Sequence, residues 1–233
     1  MAIGGWTDSV ESNKYSVLVA SSSRRTQFIT HVIPFLLTYG FDGLDLDWEY
    51  PGKSGNTADK GNFALFVQEL KTAFVPHGLL LTAAVGASET IATNGYDIPT
   101  LSMYLDYINL MTYDMHGSWE TMADHHAPLY ERTVKDHLNS DYTVNYWINN
   151  GADRSKLVLG VPIYGRSFTL STAKVTPPAP ASGGGTAGAI TKEVGYLSYL
   201  EVCLYINNGW TTVQVNCYSV CICKYMCIFA YSS

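Results

Sequence analysis

The stretch F-D-G-L-D-L-D-W-E-Y-P-G, residues 41–52, brings several acidic side chains into apolar company. From Gly43 to Tyr50 acidic and hydrophobic residues alternate, and this period of two predicts a β-strand. Side chains alternate between the two faces of a strand, so Asp45, Asp47 and Glu49 are expected to share one face. The leucines and the tryptophan between them are expected to face the core.

Carboxyl groups on one strand face can do proton chemistry. Successive acids would lie only about 6–7 Å apart, and at least one of three should hold a proton near neutral pH. A carboxylic acid that keeps its proton can act as a general acid. Two other interpretations stay open. The pattern could be a D-x-D-x-E cation site, although an EF-hand loop would need Gly where Tyr50 stands, or it could be a solvated acidic edge.

The elements that must position these acids alternate between helix and strand, which is typical of βα units around a parallel sheet. Pro34 is expected to kink or break the first helix, and the segment Pro177–Gly188 is expected to be a loop. The predicted helices are Ser23–Tyr39, Asp59–Phe74, a short one after Pro99 and Tyr142–Asn150; the predicted strands are Gly43–Tyr50, Leu79–Val85, Tyr107–Tyr113 and Leu157–Ile163.

Composition excludes several classes of function. The net charge of -6 with only 14 Lys and Arg argues against a nucleic-acid partner, and no basic block or Lys-rich amphipathic helix indicates a membrane surface. The start M-A-I-G-G-W shows no signal peptide. The content of 17 Tyr and 5 Trp would suit a sugar-binding cleft, where rings serve as flat apolar platforms.

The 5 cysteines all lie near the end of the sequence, and an odd number cannot pair fully within one chain. Their spacing matches no zinc motif, and the run from Val213 to Tyr231 is too short and too interrupted to predict a membrane span. They are Cys203, Cys217, Cys221, Cys223 and Cys227.

The acidic stretch also resembles the D-x-x-D-x-D-x-E signature of family 18 glycoside hydrolases, the chitinases of animals and microbes. Other stretches resemble that family in the same order, and the resemblance extends to about Trp210 and is closest to arthropod-type chitinases. These stretches are A-I-G-G-W (residues 2–6), L-L-T-A-A-V (80–85), M-T-Y-D (111–114) and L-V-L-G-V-P-I-Y-G-R-S-F (157–168), similar to the ends or bodies of the third, fifth, sixth and seventh barrel strands.

This resemblance implies an α/β fold, a partial (β/α)8 TIM barrel with strands corresponding to the third through seventh, and a site at the carboxyl ends of the strands. It implies substrate-assisted hydrolysis of chitin, in which the substrate's own N-acetyl carbonyl attacks the anomeric carbon. Glu49 would protonate the glycosidic oxygen. Asp47 would hold the acetamido N–H, and Asp45 would share a proton with Asp47. Asp42 is expected to be structural.

Further site residues follow from the same resemblance. Tyr113 would hydrogen-bond the acetamido oxygen, and Asp114 would assist positioning and electrostatics at the cleaved sugar. No cofactor and no metal are implied, and the implied partner of a monomer is chitin or N-acetylglucosamine oligomers. Residues implied along the sugar-binding cleft are Trp6, Tyr50, Met111, Trp119, Tyr164 and Arg166, while His126 departs from the family pattern and is given no role.

The chain also departs from the family's whole pattern. The first two barrel strands and the eighth are missing, so the sequence is expected to be truncated at both ends and inactive when expressed alone. The predicted divisions are a partial barrel core at residues 1–168, the start of an α+β insertion at 169–210 and an aberrant Cys-rich tail at 211–233. The full-length parent is expected to be extracellular.

Three functions remain open at this point. The first is an endo-acting chitinase or a fragment of one, and the second is a non-catalytic chitin-binding, lectin-like protein, which the intact Glu49 disfavours. Within the enzyme class, an endo-β-N-acetylglucosaminidase acting on glycoproteins shares the acidic signature, but the aromatic residues and Y-G-R-S-F favour chitin. A non-enzymatic fragment is the third, because strands of the family barrel are missing.

Overall fold

The computed structural model describes residues 1–131, 136–174 and 176–211. The strands are β1 Ala2–Gly4, β2 Gly43–Asp47, β3 Leu80–Gly86, β4 Tyr107–Met111, β5 Met122–Ala123, β6 Leu157–Leu159, β7 Tyr164–Arg166, β8 Phe168–Leu170, β9 Ala179–Gly184 and β10 Tyr196–Ser198. The helices are α1 Trp6–Val10, α2 Lys14–Val19, α3 Ser22–Thr38, α4 Ala58–Phe74, α5 Glu89–Gly95, α6 Ile98–Tyr104, α7 Ser140–Asn149 and α8 Tyr199–Asn207.

The chain forms two compact units. The first comprises Met1–Met111 and Val144–Gly160, and the second comprises residues 112–143 together with the described residues from 161 onward. No helix in the described ranges is long and apolar enough to cross a bilayer.

The first unit is built on a five-stranded parallel sheet in the order β1-β2-β3-β4-β6. Neighbouring strands in this sheet follow one another in the sequence of the unit, with helices in most of the connections. Parallel strands of this kind are buried on both faces of the sheet, so their sequences are near-continuous runs of apolar residues, as in Leu80–Gly86. The predicted α/β class with a parallel sheet is confirmed.

The core of the first unit lies between this sheet and its helices. Leu44 and Leu46 of β2 are buried, and so is Trp48 just after it, whereas the acids between them are partly exposed. The predicted alternation of faces is therefore correct. The predicted apolar face of α4 is buried as well, through Phe63, Phe66, Val67, Leu70 and Phe74.

Several predicted boundaries were wrong. Helix α3 runs from Ser22 to Thr38, one residue earlier at each end than predicted, and it does not break at Pro34, because buried Val32 and Leu36 hold the helix on either side. Strand β2 ends at Asp47, since the N–H of Glu49 donates to Ser9 Oγ at 3.0 Å instead of to a neighbouring strand. The strands beginning at Tyr107 and Leu157 also end earlier than predicted, at Met111 and Leu159.

The second unit is antiparallel and differs most from the prediction. Strand β9 is the central strand of a sheet with the order β5-β9-β8, so the segment predicted as a loop contains a strand, Ala179–Gly184. Its proline, glycines and small residues carry no strand signal, and backbone pairing with β8 decides its conformation. A second sheet pairs β7 with β10. The divisions at 168/169 and 210/211 stay predictions, and the tail from residue 212 lies outside the described residues.

Glu201 organises the end of the second unit. Its side chain is 2% exposed, and Oε1 accepts from the N–H groups of Ile190 and Thr191 at 2.7 and 2.9 Å. Its Oε2 accepts from the N–H of Ser198 at 2.8 Å and completes a capping box at the start of α8. A Cβ at Gly188 would lie 2.0 Å from Oε1, so the packing requires glycine there.

We expect Glu201→Gln to lower the free energy of unfolding by about 2–4 kcal/mol, because an amide NH2 would face donors that now meet a charged acceptor. Burial opposes ionisation of Glu201, but the N–H groups of Thr191, Ser198 and Ile190 outweigh it and lower its pKa to about 2. A lowered folded-state pKa gives stability that is complete above the unfolded value near 4.5 and is lost as the pH falls toward 2.

Urea unfolding as a function of pH tests this, with hydrogen exchange of α8 as the local readout. Between pH 4.5 and about 2, the free energy of unfolding should fall less steeply in the variant, because the contribution of Glu201 ionisation is absent. Exposed Glu11→Gln is the matched control. If both variants unfold within about 0.5 kcal/mol of each other, Glu201 does not have this role.

Candidate active site

Asp45 is the best-supported carboxylate of the acidic strand. Its Oδ1 accepts from Asn109 Nδ2 at 3.0 Å and from the hydroxyl of Thr82. Thr82 lies on β3, where it pairs with Asp45 in register, and Asn109 lies on β4. The next two strands of the parallel sheet therefore supply the donors that hold Asp45 in place.

Asp47 lies at the end of β2 in a different environment. Its backbone carbonyl accepts from Gly5 N–H at 2.8 Å, and a Cβ at Gly4 would lie 2.0 Å from that carbonyl oxygen, so only glycine lets β1 approach this closely. Within the described residues its buried Oδ1 has no hydrogen-bond partner. Burial raises the pKa of Asp47, and the negative charge of Asp45 raises it further. Both effects stabilise the protonated form of Asp47.

Glu49 follows two residues later, on the partly exposed side of the chain. Ser9 secures the backbone here, because its hydroxyl lies 3.5 Å from the carbonyl oxygen of Asp47 and accepts from the N–H of Glu49. The ring of Tyr50 packs against Gly86, where a Cβ would approach it to 2.9 Å. Glu49 therefore lies two residues beyond the end of β2, at the carboxyl end of the parallel sheet.

Trp6 begins α1, immediately after the glycines that contact Asp47, and 54% of its surface is exposed. The ammonium nitrogen of Lys53 lies 3.4 Å from the centroid of the indole ring. The same nitrogen lies 5.7 Å from the ring centroid of Tyr50. An exposed indole thus stands beside the acidic strand with a cation on one face.

The second unit holds a separate group of predicted residues around Asp114. Arg166 makes two parallel hydrogen bonds to it, from Nε to Oδ1 at 2.8 Å and from Nη2 to Oδ2 at 2.7 Å. Burial of Asp114 opposes its ionisation, but His126, Arg166 and Tyr164 outweigh it and hold its pKa well below the usual range. Asp114 has a φ of 55°, a left-handed conformation uncommon for a non-glycine residue and more frequent at functional sites.

Aromatic rings surround the Arg166 guanidinium. Its central carbon lies 5.2 Å from the ring centroid of Trp119, 5.5 Å from Tyr164 and 5.4 Å from Tyr196. Tyr164 also stacks on Tyr196 at 4.8 Å and meets Tyr113 edge-on at 6.2 Å. Trp119 is 59% exposed and offers a flat apolar surface.

The structure therefore brings the predicted residues together in two groups, one in each unit. The acids of β2 lie near Trp6 and Tyr50 in the first, and Met111 ends β4 in that unit with 9% exposure. The second group contains Tyr113, Asp114, Trp119, Tyr164 and Arg166.

Sequence reasoning missed several residues of both groups. His126 Nδ1 lies 3.5 Å from Asp114 Oδ1, although His126 had been given no role. Thr82 and Asn109 had not been connected with Asp45, nor Lys53 with Trp6. A polar residue within an otherwise apolar strand was the available signal for Thr82 and Asn109, since such residues on neighbouring parallel strands tend to meet. For Lys53 the sequence held no signal.

One interpretation of the acids in residues 42–49 is a cation site. Across residues 1–131, 136–174 and 176–211, no three His, Cys, Asp or Glu side chains are grouped to hold a metal ion. Cys203, on α8, is a free thiol. The other four cysteines lie outside the described residues.

A parallel α/β unit with carboxyl groups at the end of a strand is the arrangement of many carbohydrate-cleaving enzymes. Comparison with protein families narrows this class, because the family described as Glycosyl hydrolases family 18 matches residues 1–225. The chain belongs to glycoside hydrolase family 18, and the resemblance seen in the sequence is confirmed.

Known proteins similar to this chain carry chitinase names. "Probable chitinase 10" of Drosophila melanogaster is 46% identical over an alignment of 226 residues, which covers 92% of this chain and 10% of that protein. The crystal structure of Ostrinia furnacalis Group II chitinase catalytic domain 2 is 46% identical with a TM-score of 0.88, over 93% of this chain and 59% of that one.

A third relative is of a different kind. Human YKL-39, described as a pseudo-chitinase with retained chitooligosaccharide binding properties, is 37% identical with a TM-score of 0.85, over 93% of this chain and 61% of that one. The chain thus spans only part of each protein that it matches. One of these proteins is described as a pseudo-chitinase that still binds chitooligosaccharides.

Proposed function

We propose that the protein hydrolyses β-1,4-linked N-acetylglucosamine polymers, that is chitin, with retention of configuration and with the substrate's N-acetyl group as nucleophile. The observation that carries the proposal is the acidic strand of a family 18 chain. Asp47, with a raised pKa, stands between donor-bound Asp45 and Glu49, which lies beyond the end of β2. The three carboxyl groups thus have three different environments, as three different roles would require.

In the first step Glu49 donates its proton to the glycosidic oxygen while the substrate's acetamido carbonyl oxygen attacks the anomeric carbon. The bond to the leaving sugar breaks, and an oxazolinium ion forms. Asp47 accepts the acetamido N–H and stabilises the positive charge. Asp47 can take this role because the proton that it shares with Asp45 can move to Asp45. Hydrogen bonds from Thr82 and Asn109 hold the Asp45 side chain in position. In the second step Glu49 takes a proton from water, whose oxygen attacks the anomeric carbon while the bond from that carbon to the acetamido oxygen breaks and the acetamido group is restored.

The remaining predicted residues take binding roles in this proposal. Tyr113 holds the acetamido oxygen, and Asp114, kept ionised by Arg166, supports the developing positive charge. Exposed Trp6 and Trp119 offer rings against which sugar faces can stack. Tyr50, Met111, Tyr164 and Arg166 complete the proposed binding residues.

The finer structural and cellular assignments belong to the same proposal. The five-stranded parallel sheet, in sequential order, supports a partial (β/α)8 barrel. The protein acts as a monomer on chitin or its oligomers, and its full-length parent is extracellular, where chitin occurs.

Proton NMR of N-acetylglucosamine hexamer hydrolysis by the full-length parent tests the proposal, because this chain is expected to be inactive when expressed alone. We expect shorter oligomers whose new reducing ends appear first as the β-anomer, because two displacements at the anomeric carbon retain configuration. A first product in the α-form would contradict the mechanism, and binding without hydrolysis would contradict the activity.

Similarity to human YKL-39 favours a second candidate, a protein that binds chitooligosaccharides without cleaving them. The same hexamer distinguishes the two candidates, because calorimetry would then detect binding while its NMR spectrum stayed unchanged over days. An acid at position 49 favours the enzyme, since a binding protein has no need of a proton donor.

A further inference from the structure

Lys53 lies in a hydrogen-bonded turn after the acidic strand. Its N–H donates to the carbonyl of Tyr50 at 3.2 Å, and the N–H of Gly55 donates to the carbonyl of Gly52 at 3.0 Å. Two consecutive backbone bonds of this kind fix the direction in which the lysine leaves the chain.

Buried Asp59 anchors this turn. Its Oδ2 accepts from the N–H of Gly52 at 3.2 Å, and its Oδ1 accepts from Ser16 Oγ and Asn56 Nδ2, both at 2.6 Å. Asp59 is 1% exposed, so the network ties the turn to helices α2 and α4. The backbone that carries Lys53 is thereby held in one conformation.

The lysine head lies on the face of Trp6. A distance of 3.4 Å from Nζ to the ring centroid is a close cation–π contact. Partial burial lowers the pKa of Lys53, and the negative charge of Glu49 acts in the opposite direction. A sugar can then stack only on the opposite face of this indole, where it lies across the ring from the positive charge of Lys53.

We propose that Lys53 is a specificity-determining residue that discriminates against a deacetylated sugar, which carries an ammonium group in place of the acetamido group, at the position over Trp6. The inference rests on the proposed function, because it takes Trp6 as a sugar platform. Two unit charges about 6 Å apart at an exposed site repel each other enough to change affinity about 3- to 10-fold. A neutral N-acetylglucosamine unit is not repelled.

Calorimetry with three N-acetylglucosamine pentamers tests the proposal. One is fully acetylated, one lacks the acetyl group only at its reducing end, and one lacks it only at its non-reducing end. All proteins carry Glu49→Gln so that the ligands are not cleaved, and the pH is kept where the sugar amine is protonated. Lys53→Gln removes the charge, Lys53→Arg keeps it, and Lys60→Gln is a control with the same change of net charge.

We expect Lys53→Gln to improve binding of one end-deacetylated pentamer about 3- to 10-fold relative to the fully acetylated one. Lys53→Arg and Lys60→Gln should leave the ratio unchanged, and about 1 M salt should abolish the difference. The inference would be overturned if the affinity for each end-deacetylated pentamer, relative to the fully acetylated one, were the same with Lys53 and with Lys53→Gln. That result would leave the proposed function intact. Failure of every variant to bind even the acetylated pentamer would overturn both.

Discussion

In the full-length parent, Glu49→Gln is expected to abolish hydrolysis of chitin oligomers while oligomer binding persists. The amide has the size and shape of the acid but no transferable proton, and the leaving sugar would have to depart as an alkoxide. A general acid contributes about 10²–10⁴-fold, and protonation of a poor leaving group should lie near the upper limit. Initial rates with the N-acetylglucosamine hexamer, together with calorimetric affinity, measure both parts of the expectation.

Asp42→Asn is the matched control, since it changes one acid of the same stretch to its amide. Asp42 is exposed and precedes β2, so its variant should retain activity within a factor of about two, as surface changes usually do. If Glu49→Gln kept more than about a tenth of the activity, Glu49 could not be the general acid. Loss of affinity in parallel with activity would instead indicate a binding role.

The acidic strand shows how much of the site could be predicted from sequence. Alternation alone placed Asp45, Asp47 and Glu49 on one face, and it predicted that close carboxyl groups would favour a proton on one of them. The structure locates a raised pKa at Asp47, a choice that depends on burial and on the neighbouring charge of Asp45. Burial of one carboxyl group against another depends on tertiary packing, which spacing does not contain.

Contacts between distant segments could not be predicted for the same reason. Asp59 reads as an ordinary acid in the first turn of a helix, and only folding brings it to Gly52 and Ser16. Strand β9 was missed because its residues carry no strand propensity and its pairing partners lie elsewhere in the sequence. Strong local periodicity predicted α4 and the start of β2 well, because each element buries an apolar face that its own sequence supplies.

The second large effect concerns the substrate rather than the protein. In the proposed mechanism the nucleophile is the acetamido oxygen of the sugar being cleaved, and well-oriented intramolecular groups reach effective molarities of about 10⁵–10⁸ M. A substrate without that oxygen should therefore lose at least about a thousandfold in rate, even though Glu49 is intact. No protein carboxylate replaces it, because Asp47 is assigned to the acetamido N–H.

A series of aryl glycosides of the chitin disaccharide that differ only at the 2-substituent of the cleaved sugar measures this effect. Acetamido, fluoroacetamido, difluoroacetamido and trifluoroacetamido groups keep the N–H that Asp47 binds, while each added fluorine withdraws electrons from the attacking oxygen. We expect kcat to fall steeply along the series with much smaller changes in KM, and the 2-hydroxy sugar to be nearly inert. A protein nucleophile would make kcat almost independent of the fluorines, because the oxygen would take no part in bond formation. It would also leave a covalent sugar ester, so a mass increase on Asp47 after rapid quenching would show that the carboxylate attacks the anomeric carbon and that substrate assistance is wrong.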